Sequence, residues 1–96
     1  MKIVFIVFNA AIEDEVMECL AKTGVSNYTK FPDIHGKGGH SDPHLDTQIW
    51  PGTNHGLLIA ADVSLKDKIL KEVKNLKAEY AKEGIKAFVF SPEEVA

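Results

Sequence analysis

The run Lys2-Ile-Val-Phe-Ile-Val-Phe8 is apolar at every position after its lysine. As a strand it would present apolar side chains to both sides of any sheet it joined. The Leu57-Leu58-Ile59-Ala60-Ala61 run, inside a strand expected over Gly56 to Val63, has the same character, as does a strand over Lys86 to Phe90. Two helical patterns separate such strands. In the first, Asn9 serves as the N-cap and Glu13, Asp14 and Glu15 lie early, where the helix dipole favours negative charge. Ile12, Val16, Cys19 and Leu20 recur at helical spacing, and Gly24 is a C-terminal stop. In the second, Ser64 with Asp67 three residues on forms a variant of the capping box. Leu65, Ile69, Val73, Leu76 and Tyr80 form its buried stripe, and Gly84 closes it. A further strand is expected over Asn27 to Phe31, ended by Pro32, and residues 33–54 read as a long loop.

The order is therefore β-α-β, long loop, β-α-β, which predicts a single α+β domain over residues 1–96. The expected architecture is a ferredoxin-like βαββαβ sandwich with a four-stranded antiparallel sheet. Right-handed crossovers put both helices on one face of that sheet. Three strands are apolar on both faces, yet only one face has helices to cover it. The other would expose several hundred Å² of apolar surface, more than a monomer normally shows. Burial is worth roughly 25 cal/mol per Å², so the sequence predicts self-association through the sheet.

Composition narrows the function classes. The chain of 96 residues is 45% hydrophobic and 26% charged, with a net charge of −3, which offers no general field for nucleic acid. Every basic residue is Lys; without Arg, bidentate recognition of phosphate or carboxylate lacks its usual tool. The lone Cys19 cannot form an intrachain disulfide, which favours a reducing compartment. Ile3 to Phe8 is too short to span a membrane and has no signal-peptide cleavage region after it. These features predict a cytoplasmic protein with no direct membrane insertion. No Ser or Cys has an identifiable base beside it, so the chain is not expected to be an enzyme.

Three segments resemble one family. Lys2-Ile-Val-Phe-Ile opens the chain, and Gly36-Lys37-Gly38 follows the second strand. Near the end stands Gly84-Ile-Lys86-Ala-Phe88-Val-Phe-Ser91-Pro92, the most specific of the three. Together they are similar to the P-II-like small signalling proteins, and Pro43-His44-Leu45 and Trp50-Pro51-Gly52 resemble a divergent branch of that superfamily. The resemblance implies a homotrimer with sheets facing inward and a mobile T-loop in the place of residues 33–54. It also implies non-catalytic regulation of a partner protein, such as a membrane transporter, through ADP or ATP held in clefts between subunits. The chain departs from the classical members in lacking their phosphate-binding Arg residues and in a trimmed segment from Lys82 to Lys86.

All four histidines lie between His35 and His55, within or beside that loop. Gly36, Lys37, Gly38 and Gly39 allow closely spaced backbone N–H groups to form an anion-binding nest, with Lys37 supplying charge. Lys86 is expected to approach the same anion from the fourth strand. The alternative is a divalent transition-metal sensor or buffer. His40, Asp42, His44 and Asp46 alternate, so in an extended segment they point to one side. Imidazole with carboxylate suits Zn²⁺, Ni²⁺, Cu²⁺ or Mn²⁺, and His35 and His55 would add ligands from the ends of the loop. Trp50 reads as an apolar loop anchor.

Overall fold

The apolar run at the start of the chain becomes β1 (Lys2–Asn9), and it lies inside the sheet, as side chains apolar on both faces require. A computed structural model describes residues 1–36 and 53–96. A 3₁₀ turn (Ala10–Ile12) follows β1 and leads into α1 (Glu13–Thr23). Then come β2 (Thr29–Ile34), β3 (Asn54–Ala61), α2 (Val63–Glu79) and β4 (Ile85–Phe90). The sheet order is β2-β3-β1-β4, and every pairing is antiparallel. This is the ferredoxin-like α+β arrangement expected from the order of elements.

One face of the sheet makes the core. Val4, Ile6 and Phe8 of β1 alternate inward beside Leu57, Ile59 and Ala61 of β3. Ile12, Val16 and Leu20 of the first helical segment, with Ile69, Val73 and Leu76 of α2, close over them. Tyr80, Leu65 and Cys19 pack at the edge of this cluster. The other face bears Ile3, Phe5 and Val7. The register sets Phe90 and Ala60 beside Ile3, Phe88 and Leu58 beside Phe5, and Lys86 and Gly56 beside Val7. Neither α1 nor α2 covers these residues, and Phe88 and Phe90 are each 50% exposed and Phe31 41%. The Phe5 ring reaches across β3 to meet Phe31 edge to face, with centroids 6.0 Å apart. Gly56 permits that reach: a Cβ there would stand 3.0 Å from the tip of the Phe5 ring.

Three local expectations are corrected. β2 does not end at Pro32 but continues to Ile34, with an irregularity between Phe31 and Ile34. Because β2 is an edge strand, Pro32 can lack an N–H without breaking an inner ladder. The irregularity lets Asp33 take a positive φ of 55°. The second helix is capped by Asp62, not Ser64. Its backbone is extended, and its Oδ1 accepts from the Leu65 N–H at 2.7 Å, two residues before the position the capping-box pattern suggested. Gly84 does not close α2, which ends at Glu79. A turn intervenes, and Gly84 uses its φ of 80° to swing the chain into β4. The other two ends behave as expected, with Asn9 Oδ1 accepting from Ala11 N–H at 2.9 Å and Gly24 left-handed at φ 97°.

The cap assignment is testable by urea denaturation. Asp62→Ala should lower stability by about 1 kcal/mol, whereas Ser64→Ala should change it by no more than about 0.5 kcal/mol.

Candidate functional site

The chain leaves β2 and enters β3 at neighbouring points, because β2 and β3 pair up to Ile34 opposite Asn54. Four side chains brace that exit. The Asp33 N–H donates to His55 Nδ1 at 3.2 Å, which leaves the proton on Nε2, and Nε2 points at Glu13 Oε1 3.3 Å away. Glu13 Oε2 accepts from Lys30 Nζ at 2.6 Å. The His55 ring lies edge-on to Phe8, with centroids 5.9 Å apart. One imidazole on β3 thus ties the end of β2 to the start of α1 and rests on the core. The sequence offers His55 only as a spare metal ligand, but both of its nitrogens are already engaged.

The expected site residues divide unevenly. Lys37, Gly38, Gly39, His40, Asp42, His44, Asp46 and Trp50 lie outside the described residues. Gly36 is exposed just past β2, with nothing within 4 Å of the place a Cβ would take, so a backbone can be approached there. Lys86 is exposed on the uncovered sheet face beside Val7. His35 is exposed just past β2. Among the described residues no three His, Cys, Asp or Glu side chains gather as metal ligands would. Cys19 offers no thiolate either. Burial pushes its thiol pKa up and the neighbouring Glu72 carboxylate pushes it further, so it stays protonated.

The sheet order decides how Gly36 and Lys86 can cooperate. β2 and β4 are opposite edges of the sheet, three strand spacings apart. At about 4.8 Å per spacing that is roughly 14 Å. Both positions lie at the same end of the sheet. If the uncovered faces of several copies meet, the β4 edge of one copy and the β2 exit of the next can border the same crevice.

The chain matches the family model for nitrogen regulatory protein P-II over residues 1–96. It belongs to the P-II family. No curated protein matches it. Several solved structures share its fold. The P-II-like protein CPII from Thiomonas intermedia K12, bound to ADP and bicarbonate, is 19% identical, with a TM-score of 0.68. The match covers 93% of this chain and 82% of that one. The apo form of CPII is 17% identical at a TM-score of 0.69, covering 93% and 85%. A PII-like protein from Thermus thermophilus is 23% identical at a TM-score of 0.61, covering 93% and 82%. Among the described residues, no helix is long and apolar enough to cross a membrane.

One position has a second character that the sequence does not disclose. Asn9 reads there only as a helix cap, yet it is 3% exposed, and its Nδ2 has no hydrogen-bond partner among the described residues. A polar residue ending an otherwise apolar strand is the available signal.

The brace at the loop exit makes its own prediction. His55→Ala leaves the Asp33 N–H without its acceptor and should lower stability by about 1 kcal/mol. In hydrogen exchange the Asp33 amide should lose protection, while the amides of Val4 and Ile59 should keep theirs relative to global unfolding.

Proposed function

We propose that this protein is a non-catalytic, homotrimeric signalling protein that binds an adenine nucleotide in crevices between its copies. Ligand binding there orders the segment between β2 and β3, residues 35–53, and so changes the surface offered to a regulated partner, such as a membrane transporter. Order–disorder of a segment is a common switching device and requires only that the ligand prefer the ordered state. The ligand contacts are assigned to Gly36, Lys37, Gly38 and Gly39 at the loop and to Lys86 on β4.

One observation carries this reading: β2, which leads into Gly36, and β4, which bears Lys86, are opposite edges of one sheet, so a crevice where two copies meet can draw on both edges. The uncovered apolar face supplies the reason for copies to associate. The P-II family match supports the signalling role, and the ADP and the AMP bound to CPII support an adenine nucleotide. With every cation a lysine, phosphate recognition falls to backbone N–H groups and ammonium groups, not to guanidinium forks.

Calorimetric titration with ADP tests the proposal. Lys37→Ala and Lys86→Ala should each weaken binding about tenfold to a hundredfold, the scale of a hydrogen bond to a charged group. Unfolding the two variants together and refolding the mixture should regain a fraction of sites with wild-type affinity, because mixed assemblies pair an intact loop with an intact β4. Absence of ADP binding by the wild type contradicts the nucleotide assignment; variants that bind weakly and show no recovery contradict the shared site.

A further inference from the structure

We propose that Asn9 is a ligand-binding residue whose side-chain amide donates to an oxygen of an anionic group, beside the Lys86 ammonium. The inference rests on the reading above for the presence of an anion site, and it adds a donor which the P-II resemblance did not suggest.

Asn9 is the last residue of β1, and its orientation is fixed. Oδ1 accepts from the Ala11 N–H at 2.9 Å, so the other end of the carboxamide is the NH₂ group. That Nδ2 is buried and has no partner among the described residues. Buried amide donors are nearly always paired, and one left alone loses the equivalent of about tenfold or more in an equilibrium. The chain retains this cost at a place where serine or aspartate would cap the turn equally well. A cap alone therefore does not account for the amide; an acceptor does.

The surroundings name the acceptor. Along β1 side chains alternate, which puts Asn9 on the same side as Val7 and Phe5, the face that the helices leave uncovered. Just before β4 the Asn9 N–H donates to the Gly84 carbonyl at 3.2 Å, so the residue opposite Asn9 on that side has no side chain, while on the other side Asn9 pairs with Asn54 of β3. Lys86, two residues further on, is the diagonal neighbour of Asn9 on that face, since it pairs with Val7. Diagonal neighbours stand about 7–8 Å apart, within reach of a long side chain. An amide and an ammonium thus flank a position vacated by glycine. Neither of these side-chain groups can accept a hydrogen bond, and one is charged. Their common partner is an oxyanion: a nucleotide phosphate, or a free phosphate of the same chemistry. The pair belongs to the β1–β4 side of the sheet, so it would hold its anion from the copy that contributes Lys86.

The test is Asn9→Ser, which keeps a capping oxygen and removes the donor, with Asn9→Asp as a companion that keeps the shape as well. Each is titrated calorimetrically with ADP and, separately, with inorganic phosphate, and melted without ligand. Because the lost N–H has no partner among the described residues, the Asn9→Ser midpoint should stay within about 4 °C of wild type. Affinity should fall about tenfold or more. A loss in the ADP titration assigns the amide to the nucleotide phosphate. A loss confined to inorganic phosphate, with no ADP binding by the wild type, keeps the anion site and rejects the nucleotide reading. Three results overturn the proposal: wild-type affinities in both variants, no binding of either probe by the wild type, or a larger midpoint drop showing that the amide already had a partner within the protein.

Discussion

A sheet that is apolar on both sides but shielded by helices on only one governs the rest of this molecule. The helix-facing side is satisfied within the chain, where Val4, Ile6, Phe8, Leu57 and Ile59 are all but fully buried under α1 and α2. On the other side Phe5, Phe31, Phe88 and Phe90 form an aromatic surface with no cover from those helices. At roughly 25 cal/mol per Å², covering such a face stabilises an assembly far more than any surface ion pair in the structure can. Lys30 with Glu13 holds an exit in place; it does not bring copies together.

Association then has a chemical consequence. Within one chain the β2 exit and Lys86 are separated by the width of the sheet. In an assembly joined through the open faces, the two edges of neighbouring copies can converge. The end of β2 is braced by His55, which links Asp33, Glu13 and the ring of Phe8. Rigid support at that point fixes where the chain leaves β2 and enters β3.

Much of this is legible in the residues themselves. The two-sided strands, the helical stripes through Val16, Leu20, Ile69 and Val73, and the stop at Gly24 are readable because hydrophobic periodicity and left-handed glycine are local signals. What misleads is also local, but depends on neighbours. Pro32 looks like a strand ending, and only the edge position of β2 makes it harmless. Ser64 looks like a cap, while Asp62, two residues earlier, already satisfies the helix. His55 carries the chemistry of a metal ligand, yet tertiary contacts from α1 and β2 occupy both ring nitrogens. The orphaned amide of Asn9 is invisible for the same reason: whether a polar group is paired depends on burial and on strands far away in sequence.

The central claim is that the uncovered face of the sheet holds copies of the chain together. Sedimentation velocity at micromolar concentration addresses it directly. The account predicts a particle of about three times the 10.6 kDa of one chain, falling to the monomer when Phe88 and Phe90 are both replaced by aspartate. A wild-type particle that sediments as a single 10.6 kDa chain would contradict it.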